Sequence, residues 1–182
     1  ADIARQGPGV GGPLAAGITN LVYQAADCPS DGYYTIVNHT SNCFGGSWFS
    51  VGQDHTGNQD GYFMLVNASF QPSDFYVQTV NGLCGNTSYQ FAAWVLNMVS
   101  QPNEILPNIT FRIEKTDGTV LQSFATGDIP ETSSPTWNQY AFYFSTPPGI
   151  NSVVLRMTNN APGGTGNDIA LDGSYYLQQD SG

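Results

Sequence analysis

The chain has very little positive charge. Only four of its 182 residues are Lys or Arg, against 14 Asp and Glu, which gives a formal net charge of −10. A surface so poor in cations has nothing with which to neutralise the phosphates of a nucleic acid, and an anionic membrane surface repels it. These two classes of partner are therefore excluded, whereas cations and neutral polar ligands are compatible with the charge.

Long hydrophobic runs are also absent. No stretch approaches the ~20 apolar residues of a membrane span, and no charged start followed by an apolar run marks a signal peptide, so no membrane insertion is predicted. Charged residues make up only 10% of the chain, while aromatic residues reach 13%. Such a composition argues against disorder and predicts a surface of uncharged hydrogen-bonding groups, which is typical of extracellular fibres, adhesins and sugar-binding modules.

Cysteine is scarce, with three residues in the chain. Cys28 and Cys43 bracket a turn-rich segment and are predicted to close a small disulfide loop, which leaves Cys84 without a partner in this chain. The alternative is a set of three reduced, buried thiols, as in a cytosolic protein. The composition favours an oxidising setting and hence a secreted, extracellular or cell-surface location.

No window keeps a helical period with caps for three turns, whereas short alternating runs recur between turn clusters. The pair Asp117-Gly118 between two such runs is typical of a two-residue hairpin. About ten strands at this spacing predict an all-β fold, an antiparallel β-sandwich of the jelly-roll type. The predicted strands cover residues 33–37, 47–51, 62–68, 75–80, 89–98, 109–114, 120–125, 139–145, 153–158 and 169–177.

The first 20 residues differ from the rest. They contain the run from Gly7 to Pro13, which favours a flexible N-terminal arm or a linker over regular structure. Residues 21–182 are predicted to form the single jelly-roll domain. In the alternative, part of the arm, such as residues 18–23, adds a strand to a sheet.

Two segments rich in oxygen ligands lie more than a hundred residues apart, and each adjoins a strand. Asp54 and Asp60 belong to the first, Asp168 and Asp172 to the second. Carboxylates and amides supplied by loops are the ligands that Ca²⁺ prefers, so the four aspartates are predicted to share one structural calcium ion. In the alternative they only cap turns, as most such residues do.

Aromatic residues supply the second candidate site. Sugars are bound by stacking on aromatic faces and by hydrogen bonds from amides and carboxylates. Trp48, Trp137 and Tyr140 are the predicted ligand-binding residues, and Trp137 at a strand start is the one expected to be most exposed. The alternative for each is a place in the core. No nucleophile elbow, phosphate-binding loop or zinc spacing is present, so no enzymatic activity is predicted.

Several motifs resemble known families. The run Asp54-His55-Thr56-Gly57, followed by a strand from Gly61 to Val66, resembles a segment of MAM domains, and residues 169–172 are similar to their closing strand. A nearer resemblance is to jelly-roll modules of large secreted surface proteins of Bacteroidetes. It covers residues 27–172 and rests on the runs at residues 28–34, 81–89, 127–132 and 159–164.

The resemblance implies an extracellular, non-catalytic module of an adhesin-like protein, related in shape to galactose-binding-like modules. We therefore expect a calcium-stabilised jelly-roll module that binds a glycan or surface polysaccharide, or mediates adhesion at the cell surface. The alternative is a structural subunit of an extracellular filament, or a spacer domain, which self-associates when its N-terminal arm adds a strand to a neighbour's sheet.

Overall fold

The computed structural model describes residues 9–173 together with residues 178 and 179. These residues form eleven strands and one short 3₁₀ segment, Cys43–Gly46. The fold is all-β, a β-sandwich of the jelly-roll type, as the sequence predicts. The strands are β1 (Val22–Tyr23), β2 (Tyr33–Val37), β3 (Phe63–Asn67), β4 (Ser73–Val80), β5 (Thr87–Asn97), β6 (Asn108–Glu114), β7 (Val120–Asp128), β8 (Asn138–Thr146), β9 (Val153–Asn159), β10 (Asp168–Asp172) and β11 (Gln178–Gln179).

The strands form two sheets that pack face to face. The larger sheet has the order β1-β2-β3-β10-β5, with β8 on the other side of β5 and with β11 pairing with β5 on the side of β10. The smaller sheet has the order β4-β9-β6-β7. All strand pairs are antiparallel apart from β1 with β2. Strands distant in sequence therefore become neighbours, as β3 and β10 do.

The alternation of side chains in each strand builds the core between the sheets. In β3, for example, Met64 and Val66 face the smaller sheet and pack with Phe111 of β6. Phe63 and Leu65 point the other way and belong to a second apolar cluster. The central strands β3 and β10 are thus buried on both faces of the sheet, because successive residues of a strand point to opposite sides.

The second cluster lies on the outer face of the larger sheet, under a segment that we call the covering loop (residues 38–61). This loop places Trp48 and Val51 on the sheet, where both side chains are buried. A disulfide between Cys28 and Cys43, with Cα atoms 5.5 Å apart, fixes the start of the loop. Much of the face that a sandwich can offer to ligands is therefore filled by the chain itself.

The covering loop corrects one predicted element. Residues 47–51 do not form a strand, since they make only isolated bridges, Trp48 with Val99 and Val51 with Thr40. The segment crosses over the face of the sheet, so no strand runs beside it to complete a ladder. Its alternating apolar residues bury against the sheet, and the same pattern in the sequence is typical of a strand.

The predicted N-terminal arm lies partly against the sandwich. Residues 1–8 are outside the described residues. Within residues 9–20, Leu14 and Ile18 are buried in the core between the sheets. Strand β1 follows and pairs in parallel with β2. This pairing is of the kind described by the alternative prediction, in which residues 18–23 add a strand to a sheet.

The outer face of the smaller sheet carries most of the positive charge. Arg112 and Arg156 lie on this sheet, and Lys115 follows directly after β6. The Nη1 atom of Arg156 is 2.8 Å from Asp74, and its Nε atom is 3.0 Å from Glu114. These contacts tie three adjacent strands together through charged hydrogen bonds.

No helix in the described part of the chain is long and apolar enough to cross a lipid bilayer.

Candidate functional site

A cavity of about 330 Å³ opens at the end of the larger sheet, where β3 ends and β10 begins. We call it the acidic cavity. The covering loop forms one wall, and the turns before β2, β6 and β10 form the others. Its lining residues are Ser30, Asp31, Phe44, Ser47, Trp48, Asn67, Glu104, Gly164, Thr165, Gly166 and Asp168.

Asp168 is the most deeply buried carboxylate of the acidic cavity, with only 4% of its surface exposed. It is the first residue of β10 and lies opposite Asn67 of β3. Its Oδ2 atom accepts a hydrogen bond from the indole N–H of Trp48 at 3.0 Å. Its Oδ1 atom is out of reach of solvent and has no donor in good hydrogen-bond geometry, although the backbone N–H of Ala68 lies close enough to act on the carboxylate. Leaving a buried acceptor without a good donor costs about 1–3 kcal/mol, which favours the protonated, neutral form of this carboxyl group.

Burial raises the pKa of Asp168 to about 8. Hydrogen bonds from the Trp48 side chain and the Ala68 backbone act in the opposite direction, whereas the negative charges of Asp31 and Glu104 raise the pKa further. The last effect indicates that Asp31 and Glu104 both lie within electrostatic range of Asp168. A pKa of about 8 favours the protonated, neutral form of Asp168 at neutral pH.

Glu104 is half-buried and is held at the cavity by the backbone of the next residue, Ile105. The N–H of Ile105 donates to the carbonyl of Thr165, and the N–H of Asn167 donates to the carbonyl of Ile105. A Cβ atom on Gly166 would lie 2.5 Å from the backbone nitrogen of Ile105. Only glycine at residue 166 permits this close approach, which sets Glu104 beside the start of β10.

Aromatic rings form the other part of the cavity wall. The rings of Phe44 and Trp48 meet edge to face, with centroids 4.8 Å apart. Phe44 is 49% exposed and has a φ of 54°, a conformation that is rare for bulky residues. Phe70, also exposed, lies beside Gly164 of the cavity rim. The cavity thus combines carboxylates with apolar rings that solvent can reach.

Asp54 and Asp172 lie together at a different place, beneath the covering loop. The Oδ1 atom of Asp54 accepts hydrogen bonds from the backbone N–H groups of Thr56 and Asn58, at 2.8 and 3.0 Å. The Oδ2 atom of Asp172 accepts the backbone N–H of His55 at 2.7 Å and contacts its ring Nδ1. Burial raises the pKa of Asp172, the hydrogen bonds from His55 oppose this rise, and the charge of Asp54 adds to it. These two carboxylates order the loop.

The four predicted calcium ligands do not converge on one point. Asp168 and Asp172 stand at opposite ends of β10, about 13 Å apart at the usual rise of a strand. Asp60 is exposed, and its backbone N–H donates to the side chain of Asn58. Among the described residues, no three His, Cys, Asp or Glu side chains are arranged to hold a metal ion. The arrangement does not fit one calcium ion shared by all four, and calcium binding stays a prediction.

The three predicted ligand-binding aromatic residues lie in three different environments. Trp48 lines the acidic cavity with its ring buried. Trp137 is half-buried and lines a second cavity of about 300 Å³ beside Gln53 and Gln59. Tyr140 faces the core and packs against Phe111, with ring centroids 6.2 Å apart. They do not form one sugar-binding surface.

Sequence reasoning missed Asp31, Phe44 and Glu104 as site residues. Asp31 belongs to the run of residues 28–34 that resembles surface modules, but that run assigns it no binding role, and the three residues come from three turns that only the folded sheet brings together. The run Phe44-Gly45-Gly46, with its two glycines beside an aromatic residue, was a signal of an unusual turn. No comparable signal in the sequence marks Glu104.

No family model matches the chain, and no curated protein matches it. Solved structures show the fold. An apo cyclase from Fischerella sp. has a TM-score of 0.52 at 13% identity, over 87% of this chain and 80% of that one. The enzymatically active domain of tailspike protein 4 from bacteriophage CBA120 has a TM-score of 0.51 at 17% identity, over 83% of this chain but only 18% of the tailspike chain.

A structure described as CBM4 also aligns, with a TM-score of 0.47 at 14% identity, over 66% of this chain and 72% of that one. At such identities these likenesses concern the fold alone. The resemblance to MAM domains and to Bacteroidetes surface modules stays a prediction. The chain is similar in fold to the cyclase and to part of the tailspike protein.

Proposed function

We propose that this chain is a non-catalytic carbohydrate-binding module that holds a glycan in the acidic cavity. The observation that carries the proposal is a cavity of about 330 Å³ whose wall combines the exposed ring of Phe44 with the side chains of Asp31 and Glu104. A cavity of this volume is at the lower end of the range of ~300–1,000 Å³ for small-molecule sites. One or two sugar units are ligands of a suitable size.

The lining chemistry supports a sugar. A sugar ring has an apolar C–H face and a rim of hydroxyl groups, so it binds best where aromatic rings and hydrogen-bonding groups lie together. Phe44 supplies an exposed ring, while Asp31 and Glu104 supply acceptors for hydroxyl groups. The side chains of Ser30 and Thr165 can both donate and accept.

The disulfide supports a place outside the cytoplasm, because such bonds persist in oxidising compartments. The Cys28–Cys43 bond fixes the loop that carries Phe44 and Trp48. An extracellular or cell-surface location suits a module that binds glycans, and adhesion is the role we infer for it there.

Screening against an array of defined neutral and charged oligosaccharides, followed by calorimetric titration, tests the proposal. We expect binding that weakens at least about tenfold in Phe44→Ala, because stacking on one ring is worth about 1–3 kcal/mol by analogy with other planar ligands. Tyr143→Ala is the matched control, since Tyr143 is 60% exposed on β8 and does not line the cavity.

A loss of binding in Tyr143→Ala, with Phe44→Ala unaffected, would move the site to the open edge of the larger sheet. Cleavage of a bound oligosaccharide, detected as new reducing ends and lost in Glu104→Gln, would overturn the non-catalytic part of the proposal. The alternative of a filament subunit stays a prediction. It is checked on the same samples by light scattering, in which particles much larger than one chain would support it.

A further inference from the structure

The second cavity, of about 300 Å³, combines the ring of Trp137 with the side chains of Gln53 and Gln59. All of its lining residues are described and uncharged, in contrast to those of the acidic cavity. We propose that it is a separate binding site for a neutral glycan, in which a sugar ring stacks on Trp137 and its hydroxyl groups bond to the two amides. The inference goes beyond the proposed function, because it concerns other residues and does not require the acidic cavity to bind a ligand.

The ring of Trp137 is held in place by the core. It meets the ring of Phe63 edge to face, with centroids 5.6 Å apart, and Phe63 is fully buried. Trp137 itself is only half-buried, and its indole N–H makes no hydrogen bond to another described residue. A side chain that is fixed in advance loses little freedom when a ligand binds. Trp137 is therefore suited to stacking, and its N–H is available to a hydroxyl group.

A turn in the covering loop brings the two glutamines together. The backbone N–H of Asp54 donates to the carbonyl of Asn58 at 3.0 Å, and the Asp54 side chain accepts the N–H of Asn58, also at 3.0 Å. Because these bonds close the turn, Gln53 and Gln59 on either side of it line the same cavity. The segment that the sequence indicates as a calcium loop thus places two amides beside Trp137.

Both amide groups are available to a ligand. Gln53 and Gln59 are exposed, and their side chains make no hydrogen bond to any other described residue. Each amide has two N–H donors and a carbonyl acceptor, which match hydroxyl groups that donate and accept. An ion finds no opposite charge in this lining to attract it. A neutral glycan is the ligand class that uses the aromatic ring and the amides together.

The two cavities are far enough apart to be tested separately. Phe63, which contacts Trp137, is the first residue of β3, whereas Asn67, which lines the acidic cavity, is the last. At the usual rise of a strand these two residues are about 13 Å apart. A substitution in the lining of one cavity therefore leaves the lining of the other unchanged.

Calorimetric titration of the full chain with cellohexaose, a neutral glucose hexamer, tests the inference. We expect binding that weakens at least about tenfold in Trp137→Ala, as the loss of one stacking ring does for other planar ligands. The double variant Gln53→Ala with Gln59→Ala should lose about tenfold as well, through its missing hydrogen bonds. Phe44→Ala, in the other cavity, should bind as the parent does. Gln101→Ala, an exposed glutamine outside both cavities, is the matched control.

Two further measurements complete the test. Hexagalacturonate, an anionic sugar hexamer, should bind at least about tenfold more weakly than cellohexaose, because the uncharged lining offers it no cation and the net charge of the chain repels it. Thermal unfolding of each variant shows whether it is folded. Gln53 and Gln59 are exposed, so the double variant is expected to unfold as the parent does and keeps the test valid even where Trp137→Ala is destabilised.

The outcomes separate this inference from the proposed function. Cellohexaose binding that is lost in Phe44→Ala and kept in Trp137→Ala overturns the inference and leaves the acidic cavity as the glycan site. Binding that is lost in Trp137→Ala and kept in Phe44→Ala supports the inference, whatever the acidic cavity binds. No binding of cellohexaose, or equal affinity in the parent and the double glutamine variant, also overturns the inference.

Discussion

At the scale of single residues, Asp168 links the stability of the fold to pH. Its pKa is raised to about 8 in the folded chain, chiefly by burial, from 3.8 for an ordinary Asp side chain. Between these two pH values the folded state holds a proton that the unfolded state has released. The contribution of Asp168 to stability therefore falls as the pH rises from about 4 to about 8.

Replacing Asp168 by Asn tests this linkage. Asn keeps an acceptor for the Trp48 indole and cannot ionise. We expect unfolding temperatures similar to those of the parent near pH 4 and higher by about 5 °C or more at pH 8. Thermal unfolding from pH 4 to pH 8 measures both, with Asp117→Asn as the exposed control. If the unfolding temperatures of the parent and the variant changed in the same way with pH across the whole range, Asp168 would be ionised in the fold at neutral pH.

Gly61 is required for a steric reason. A Cβ atom at residue 61 would lie 2.0 Å from the Oδ2 atom of Asp54, so Gly61→Ala must displace a carboxylate that accepts hydrogen bonds from the loop. We expect it to lower the free energy of unfolding by about 1–3 kcal/mol, as overpacking does. Urea unfolding measures this, and Gly52→Ala, where no atom lies within 4 Å, is the control. Equal stability of both variants would show that the loop relaxes freely.

The sequence motifs predicted which types of residue occur at the candidate sites, but not which atoms those residues contact in the fold. The acidic loop at Asp54 was predicted as a calcium loop, whereas in the fold its carboxylate accepts backbone N–H groups of the same loop. Both uses call for Asp in a turn, so the spacing does not separate them. Asp31 and Glu104 were not predicted, because their proximity to Asp168 arises only from sheet topology.

At the scale of elements, the covering loop is the part most dependent on a covalent bond. The disulfide closes 15 residues of sequence, which corresponds to about 3 kcal/mol of loop-closure entropy. We expect the double variant Cys28→Ser with Cys43→Ser to lose roughly that much stability in urea unfolding. Cys84→Ser should not change stability, because this thiol is exposed and outside the disulfide. A comparable loss of stability in Cys84→Ser would show that Cys84 also has a structural role.

Strands were predictable where one face of the chain is buried and the other is not. The two-residue alternation gave β6 and β9 to within about one residue, since inward Phe111 and Leu155 alternate there with outward Arg112 and Arg156. The same alternation failed in the covering loop, where apolar residues bury without a neighbouring strand. The alternating pattern indicates only which side chains are buried. Whether the segment forms a strand depends on a neighbouring strand with which its backbone can form hydrogen bonds.

At the scale of the whole molecule, the excess of negative charge affects stability. A net charge of −10 repels itself in the compact state, and salt screens this repulsion. We expect the unfolding temperature to rise by a few degrees, on the order of 1 kcal/mol of stability, between 0.02 and 0.5 M NaCl, with KCl giving the same curve. A larger rise with CaCl₂ at equal ionic strength, reversed by EDTA, would instead support the predicted calcium ion.

The fold class was predictable for the whole chain because turn residues divide it into regular short segments, and few other architectures accommodate ten strands of this length. The order of strands in the sheets was not. The pairing of β10 with β3 joins residues about a hundred positions apart, and no local signal in the sequence records such a contact. The acidic cavity depends on that pairing, so it was not predictable from the sequence either.

The charged residues are distributed unevenly between the two faces of the molecule. The basic residues Arg112, Lys115 and Arg156 lie in or beside the smaller sheet, while the acidic cavity opens at the outer side of the larger one. The chain is therefore an electric dipole as well as an anion. On the smaller sheet Arg156 is paired with Asp74 and Glu114, so a charged partner meets a nearly neutral face on one side of the molecule and an acidic opening on the other.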